Sequence, residues 1–251
     1  MELSPAATRI LAGLLEARTG QQLSTGRHWR LDTALAPIMR ERGIDSVDLL
    51  VAALVGGRDA RLADAVVEAL LNNETSFFRD HGPFQQLTGP VLARLHAARA
   101  GTRRLRVWSV GCSTGQEPYS LAMILKDFAP MLSGWRVEIV ATDLSQEVLE
   151  KCKSGIYSQF EVQRGLPIQK LVTHFKQVGE TWQISSEIRA MVQFRQLNLL
   201  HDFSSLGQFD VIFCRNVLIY FEQATKADVL NRMMKMNEPD GYLFLGAAET
   251  V

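Results

Sequence analysis

The clearest chemical signal lies in a turn that joins a predicted strand to a predicted helix. The apolar strand Leu105–Val110 runs into residues 111–120, Gly-Cys-Ser-Thr-Gly-Gln-Glu-Pro-Tyr-Ser, and a helix is predicted from about Pro118. Proline suits the first helical turn, where its missing N–H costs nothing. Gly111 and Gly115 permit a tight turn and a close approach of the backbone to a ligand, since glycine has no Cβ. A ligand is therefore predicted at the carboxyl end of this strand.

The spacing of the turn argues against two common nucleotide sites. It reads Gly-x-x-x-Gly, which is neither the dinucleotide Gly-x-Gly-x-x-Gly nor the phosphate-binding Gly-x-x-x-x-Gly-Lys-[Ser/Thr]. The turn holds no lysine, and Glu117 would repel a pyrophosphate but suits a cationic or hydroxyl-rich ligand. Taken alone, Glu117 is equally well explained as an acid that stabilises a helix N-terminus. The whole turn points away from NAD or ATP and toward S-adenosylmethionine.

Polar residues also end the other predicted strands. Asp143 follows the second strand, where a carboxylate can accept two hydrogen bonds from a ribose diol. The alternative is that Asp143 caps the helix that begins near Ser145. Asn198 and Asn216 end the third and fourth strands, although asparagine is common wherever a strand meets a turn. Because the carboxyl ends of parallel strands share one edge, these groups are predicted to converge on a cofactor pocket.

The elements that position these residues alternate between strand and helix, which predicts a parallel sheet with crossover helices. The predicted strands are Leu105–Val110, Arg136–Ala141, Val192–Leu197, Phe209–Cys214 and Tyr242–Ala247, and the helices are Pro118–Phe128, Gln146–Lys153 and Glu222–Asn237. Residues 174–197 interrupt the alternation with β-like runs around Gly179-Glu180, so they are predicted as a small antiparallel insertion. A turn at Pro239-Asp240-Gly241 is predicted before the last strand.

The N-terminal part of the chain has a different pattern. Residues 1–72 predict a small all-α domain of short helices that end at glycines, the first with a Ser4-Pro5 start and the third capped by Ser46. Residues 73–100 are interpreted as a linker and a connecting helix that is interrupted at Gly89-Pro90. Residues 101–251 form the predicted α/β domain, whose expected fold class is Rossmann-like.

Composition excludes several function classes. The 251 residues are 47% hydrophobic and 22% charged, and 27 basic residues balance 27 acidic ones. A net charge of zero argues against a nucleic-acid partner, because that binding mode needs a basic surface. The three cysteines lack Cys-x-x-Cys spacing, so we interpret them as reduced thiols and predict no metal site. We find no apolar run of membrane-spanning length and no signal-peptide pattern, so a cytoplasmic protein without membrane insertion is expected.

A further motif precedes the connecting helix. It reads Asn73-x-Thr75-x-Phe77-Phe78-Arg79, and as a linker its phenylalanines would be a hydrophobic plug, which leaves the polar residues unexplained. With this motif the chain resembles the chemotaxis-receptor methyltransferase family (CheR). The other matching runs are Ser113-Thr114-Gly115-Gln116-Glu117-Pro118-Tyr119-Ser120, Ala141-Thr142-Asp143-Leu144, Asn198-Leu199-Leu200 and Phe213-Cys214-Arg215-Asn216-Val217-Leu218-Ile219-Tyr220-Phe221.

The resemblance implies a helical N-terminal domain, a Rossmann-like methyltransferase domain and a small β insertion. It implies methyl transfer from S-adenosylmethionine to glutamates on chemoreceptor signalling helices, with S-adenosylhomocysteine as product. In addition to Gly111 of the turn, the residues that it places around the cofactor are Asn73, Thr75, Arg79, Glu117, Asp143, Asn198, Leu199, Arg215 and Asn216. Arg79 and Tyr220 would lie nearest the transferring methyl group and are the predicted catalytic residues.

The chemistry of such a transfer needs little acid–base help. A glutamate side chain has a pKa of about 4.3, so at neutral pH it is already the nucleophile. The enzyme must align the carboxylate with the methyl group and exclude water. We expect Arg79 to orient the carboxylate by a charge-assisted hydrogen bond, with Tyr220 as a second donor. Alternatively, Arg79 binds the carboxylate of the cofactor.

The sequence departs from the family at three places. Ala34 stands on the second helix where many relatives have an arginine, which puts that contact in doubt. The predicted hairpin, residues 175–182, is shorter than in relatives that bind a receptor tail peptide, so no tight tethering is expected. The chain ends at Val251, directly after the last predicted strand, so we expect a truncated chain or a reduced sheet with an unpaired edge.

Two other functions stay open at this point. One is a regulatory module that binds S-adenosylmethionine or its product with little or no turnover, which Ala34 and the short C-terminus would favour. The other is a methyltransferase that acts on a small molecule or a nucleic acid. The neutral charge opposes nucleic acid, and the helical N-terminal domain favours a protein helix as substrate.

Overall fold

The computed structural model describes residues 4–23, 28–57 and 59–249. The chain divides into two units. The first unit contains residues 1–72 and 220–228, and the second contains residues 73–219 and 229–251. Val251, where the sequence predicts a truncated edge, lies outside the described residues.

Helices build the first unit. They are α1 (Pro5–Thr19), α2 (His28–Arg42), α3 (Val47–Val55) and α4 (Ala60–Leu70). The side chains of Ser4, Ser46 and Asp59 accept backbone N–H groups and so cap α1, α3 and α4. Gly20 ends α1 in the left-handed conformation, as the glycine stop predicts. Buried leucine and valine side chains on one face of each helix form the core, namely Leu11, Leu35, Leu50 and Val66.

The second unit begins with helices and continues with alternating strands and helices. Its strands are β1 (Arg104–Val110), β2 (Arg136–Asp143), β3 (Ile156–Ser158), β4 (Phe175–Val178), β5 (Thr181–Ile184), β6 (Val192–Gln196), β7 (Phe209–Cys214) and β8 (Asn237–Leu245). Its helices are α5 (His81–Gln86), α6 (Leu92–Ala98), α7 (Gln116–Asp127), α8 (Gln146–Ser154), α9 (Gln159–Gln163), α10 (Ile168–His174), α11 (Ser186–Ala190) and α12 (Gln223–Met234), whose first residues belong to the first unit. Gly89 breaks the helical geometry between α5 and α6, at the predicted interruption.

The described residues of the main sheet form five parallel strands in the order β6-β2-β1-β7-β8. The chain therefore proceeds outward from β1 in one direction and from β7 in the other, and the two halves meet between β1 and β7. Every residue of β7 is buried, because both faces of such a sheet are covered. The predicted Rossmann-like fold class is confirmed.

The small antiparallel sheet differs from its prediction. Its order is β3-β5-β4, and β4 and β5 form the hairpin that turns at Gly179-Glu180. Residues 192–197 were predicted both as part of this insertion and as a strand of the parallel sheet, and the second assignment is confirmed, because β6 pairs with β2 in the parallel sheet. The third strand is β3, which has only three residues and so carries no readable alternation.

The last strand also begins earlier than predicted. β8 starts at Asn237, and its pairing with β7 jumps from Phe209–Asn237 to Val211–Tyr242. Pro239-Asp240-Gly241 therefore lies in a bulge of the strand and does not form a separate turn before it. No helix in the described part of the chain is both long enough and apolar enough to cross a bilayer.

Candidate functional site

The turn after β1 sits at the point where the strand order reverses. Gly111 has φ +63° and its position is exposed, and a Cβ added there would lie 2.5 Å from Cγ2 of Val217. Both the backbone conformation and this contact therefore require glycine. Val217 comes shortly after β7, so the two loops that flank the reversal point pack directly against each other. This crevice is where open α/β sheets bind ligands.

Buried side chains pack against the second glycine of the turn. Gly115 has φ +96°, and an added Cβ would lie 3.0 Å from both the Cys152 sulfur and the Tyr157 hydroxyl oxygen. Tyr157 donates to the carbonyl of Thr114 at 2.8 Å, and Cys152 donates to that of Ser113 at 3.1 Å. Burial raises the pKa of Tyr157, so its hydroxyl remains a donor. The three cysteines of the chain are free and buried.

Asp143, the last residue of β2, braces the same turn. Its Oδ2 accepts the backbone N–H of Ser113 at 2.8 Å, and its Oδ1 accepts that of Ser145 at 3.0 Å. The alternative interpretation, that Asp143 caps α8, is wrong. The cap is Ser145 itself, whose hydroxyl accepts the N–H of Val148 at 3.1 Å. A carboxylate at the end of β2 thus stands beside the turn after β1.

Glu117 lies in the first turn of α7 and pairs with an arginine from the loop after β7. Its Oε1 accepts the Ser109 hydroxyl at 2.8 Å, and its Oε2 accepts Nη1 of Arg215 at 3.1 Å. Burial raises the pKa of Glu117 to about 7, although Arg215 and Ser109 act to lower it. The carboxyl group therefore titrates near neutral pH.

Arg215 clamps the segment that carries Arg79. Its Nη2 donates to the backbone carbonyl of Arg79 at 2.6 Å and to Oδ2 of Asp80 at 2.9 Å, and its side chain is 2% exposed. Phe78 and Asp80 have φ values of +48° and +54°, which are uncommon for residues with a Cβ. The clamp therefore stabilises a strained turn with Arg79 at its centre, and the half-buried Arg79 guanidinium donates to the carbonyl of Glu74 at 3.1 Å.

The start of the same segment is tied to the turn after β1. The hydroxyl of Ser113 donates to the carbonyl of Asn73 at 2.6 Å. The Phe77 ring is fully buried and packs edge-on against Tyr157, with ring centroids 5.1 Å apart. The phenylalanine is a plug, as the linker interpretation predicts, and the backbone of Asn73, the first residue of the motif, is hydrogen-bonded to the turn. Residues 73–80, the turn and the loop after β7 thus form one connected edge.

Comparison with known proteins identifies this arrangement. Residues 73–251 match the protein family described as "CheR methyltransferase, SAM binding domain". The chain belongs to the CheR methyltransferase family. This family assignment confirms the resemblance predicted from the motifs.

Relatives match along nearly the whole chain. It is 41% identical to chemotaxis protein methyltransferase 1 of Pseudomonas aeruginosa, over 100% of this chain and 92% of that protein. It is 40% identical to chemotaxis protein methyltransferase Cher2 of Pseudomonas putida, over 94% and 87% of the two chains, and 35% identical to the chemotaxis protein methyltransferase of Salmonella typhimurium, over 99% and 85%. The protein is thus an S-adenosylmethionine-dependent methyltransferase of chemotaxis.

The edge of this CheR-family protein fits its cofactor. S-adenosylmethionine carries ribose hydroxyls and a positively charged sulfonium and has no phosphate. The edge offers the carboxylates of Glu117 and Asp143, an exposed glycine at position 111 and no lysine in the turn. Among the described residues, the arginine that pairs with Glu117 is Arg215, whose side chain is nearly inaccessible. A hydroxyl-rich cation suits this set of donors and acceptors better than a pyrophosphate does.

The remaining predicted site residues of the CheR domain lie elsewhere on the segment of residues 73–80 or after β6 and β7. Asn198 accepts the N–H of Leu200 at 3.0 Å through its side-chain oxygen, and Leu199 is buried, with its carbonyl accepting from Arg232 at 2.7 Å. Thr75 is half-buried, and Asn216 has φ +58°. Their contacts to the cofactor stay predictions.

Tyr220 belongs to the first unit. It ends a short 3-10 helix, Leu218–Tyr220, and its hydroxyl accepts the side-chain amide of Asn72. Its predicted catalytic role remains a proposal. Ala34 is half-buried on α2.

Sequence reasoning missed three residues of this site. Ser113 ties residues 73–80 to the turn, Asp80 shares Arg215 with Glu117, and Glu249 binds the loop after β7. Asp80 carried a readable signal, since it directly follows the predicted Arg79. The contacts of the other two could not be read from the sequence, because their partners are backbone groups that are distant in sequence.

Proposed function

We propose that this enzyme transfers the methyl group to glutamate side chains of chemoreceptors and forms glutamate methyl esters. The observation that carries the proposal is the Arg215 clamp, which fixes Arg79 at the centre of a strained turn that is tied to the cofactor edge. A half-buried arginine in that place suits an anionic acceptor. The names of the relatives place methylation in chemotaxis, which supports chemoreceptors as the class of substrate, and we propose their cytoplasmic signalling helices as the acceptor.

S-adenosylmethionine supplies an activated methyl group when it is bound. In our proposal, Glu117 and Asp143 hold hydroxyl or cationic groups of the cofactor. Gly111 has no side chain, so the protein backbone at this position can approach the cofactor closely. Asn73, Thr75, Asn198, Leu199, Arg215 and Asn216 complete the set, with Arg215 acting through Glu117 because its own side chain is 2% exposed.

Arg79 orients the attacking carboxylate in this proposal, with Tyr220 as a second donor. A carboxylate that is ionised at neutral pH needs no general base, so the enzyme contributes alignment and exclusion of water. The grip must stay moderate, because a strongly held carboxylate is a weaker nucleophile. The alternative role for Arg79, holding the cofactor carboxylate, makes a different kinetic prediction.

We further propose that the enzyme acts without tethering to a receptor tail peptide. Its hairpin turns through only two residues between β4 and β5, and no longer loop is present there to bind a peptide. Micromolar binding of a receptor tail peptide, measured by calorimetry, would overturn this point.

The deciding experiment is transfer of labelled methyl from S-adenosylmethionine to membranes that contain chemoreceptors, followed by alkaline treatment. Base-labile label on a receptor-sized protein is expected, because carboxyl methyl esters hydrolyse in base. Label that resists base would contradict the glutamate proposal. Cofactor binding without any label would support the regulatory module instead.

Replacing Arg79 separates its two proposed roles. We expect Arg79→Ala to lower kcat about 100-fold with less than a threefold change in the Kd of S-adenosylhomocysteine, because a positioned charge acts mainly on the transition state. Arg94→Ala, which removes an exposed arginine from α6, is the matched control. A weakened Kd with unchanged kcat would assign Arg79 to the cofactor.

A further inference from the structure

A buried carboxylate near the end of the described chain binds three backbone N–H groups. Glu249 is 8% exposed, and its Oε1 accepts the N–H of Val217 at 2.8 Å and that of Leu218 at 2.9 Å. Its Oε2 accepts the N–H of Gly246. Burying a carboxylate is costly unless such charge-assisted hydrogen bonds compensate. These three hydrogen bonds fix the Glu249 carboxylate to Gly246 and to the loop after β7.

The surrounding backbone is shaped to admit this carboxylate. A Cβ added at Gly246 would lie 2.9 Å from Oε2 of Glu249 and 3.0 Å from the backbone nitrogen of Asn216. Only glycine therefore allows the chain after β8 to come so close to the loop after β7. Asn216 itself has φ +58°, a conformation that a free loop seldom keeps.

The loop that Glu249 holds lies beside the turn after β1, at the point where the strand order reverses. Val217 donates its N–H to Glu249, and Cγ2 of its side chain lies 2.5 Å from the position that a Cβ of Gly111 would occupy. Glu249 thus connects through Val217 to the turn after β1. Neither the CheR motifs nor the predicted site contains this residue.

We propose that Glu249 is a positioning residue for cofactor binding, which acts by fixing the loop of residues 216–218 against Gly111. It touches the loop and acts on the cofactor through it. The inference depends on the S-adenosylmethionine-dependent activity of the family and not on the proposed glutamate acceptor. Cofactor binding, measured without any receptor, therefore tests it separately.

The experiment compares Glu249→Ala and Glu249→Gln with the unaltered 251-residue chain. Removing all three hydrogen bonds should raise the Kd of S-adenosylhomocysteine, measured by calorimetry, about tenfold. The glutamine keeps an oxygen for Val217 and Leu218 but turns an amide N–H₂ toward Gly246, so a smaller increase is expected. In methylation assays the KM for S-adenosylmethionine should rise, while kcat falls by less than threefold.

Amide hydrogen exchange supplies a readout that is independent of the cofactor. In Glu249→Ala, peptides that contain Val217 and Leu218 should lose protection while those from β1 keep it. Glu180→Gln, an exposed residue in the hairpin turn, controls for the change of charge. Ile188→Ala, a fully buried residue of α11, controls for general loss of stability.

Two results would overturn the proposal. One is a Kd that stays within twofold of the unaltered protein in Glu249→Ala. The other is an equal weakening in Ile188→Ala at a matched decrease in melting temperature, which would show that Glu249 contributes stability alone.

Discussion

Two regions of the second unit differ in how closely other side chains pack against their turn glycines. At the carboxyl edge of the parallel sheet, a Cβ added to Gly111 or Gly115 would meet other side chains at 2.5–3.0 Å. In the hairpin of the small sheet, Gly179 has a similar φ of +59°, yet nothing lies within 4 Å of an added Cβ. The first two glycines are required by contacts and conformation together, and the third by conformation alone.

The two regions also differ in how exposed their charged and apolar side chains are. At the edge, Arg215 is 2% exposed and pairs with two carboxylates. In the insertion region, which we define as residues 156–184, Phe160 is 66% exposed and Val178 is 53% exposed. At the edge, buried contacts fix the positions of the side chains. On the surface of the insertion region, exposed side chains can be replaced with little loss of stability. Cofactor binding should therefore depend on the edge, including the buried Tyr157 that supports the Gly115 turn, and be insensitive to the exposed side chains of the insertion region.

The largest expected effect comes from breaking the edge at its buried cation. Arg215→Met would leave Glu117 buried without its partner, and losing one member of a buried pair costs about 3–5 kcal/mol. We expect urea unfolding to show a loss of that size in the free energy of unfolding. Arg164→Met is the matched change in the insertion region, where the ion pair with Glu74 is exposed, and about 1 kcal/mol or less is expected. Equal losses would contradict the comparison.

The two classes of glycine give the next effect. Gly111→Ala combines a left-handed alanine, about 1 kcal/mol, with overpacking against Val217, about 1–3 kcal/mol. We expect a lower melting temperature and at least a tenfold weaker Kd for S-adenosylhomocysteine. Gly179→Ala has the same backbone penalty and no clash, so its Kd should not change. If Gly179→Ala weakened binding as much, contacts at the edge would not be the cause.

Carboxylates in the two regions respond differently to pH, and this sharpens the comparison further. Burial raises the pKa of Glu117 to about 7, whereas in the insertion region hydrogen bonds from Lys151 and Ser158 overcome burial and lower the pKa of Glu161. A cofactor that binds the ionised Glu117 must displace a proton below pH 7. The Kd should therefore fall as pH rises from 6 to 7, by at most about tenfold per pH unit, and level off above 7.

Calorimetry across this pH range checks the prediction. Glu117→Gln should remove the slope, and Glu161→Gln should retain it. A slope that persists in Glu117→Gln would assign the titration to another group of the protein or to the ligand.

The sequence predicted the elements that local patterns encode. Caps at Ser4 and Ser46, the Gly111–Gly115 turn and the apolar run of β7 each depend on a few neighbouring residues, and the structure has them where the patterns place them. The motifs also predicted the family, because their order along the chain is specific. Each of these features is determined by residues that are close together in the sequence.

Partners that are distant in sequence could not be predicted. Ser113 with Asn73, and Glu249 with Val217, join a side chain to backbone groups that any residue type offers. β3 was missed because three residues show no periodicity, and the bulge in β8 was predicted as a turn because proline and glycine favour both. Both errors lie where tertiary pairing, and not local preference, decides the conformation.

The smallest expected effect concerns the exposed apolar surface of the insertion region. Phe160→Ser removes a ring that is 66% exposed, so the melting temperature should change little, in keeping with about 0.5 kcal/mol or less for surface positions. The Kd of S-adenosylhomocysteine should stay within experimental error. Phe77→Leu, a milder change at a fully buried ring of the edge, should lower both stability and affinity more. If Phe160→Ser weakened cofactor binding more than Phe77→Leu, the insertion region would help to hold the cofactor, and the division between a fixed edge and a tolerant surface would fail.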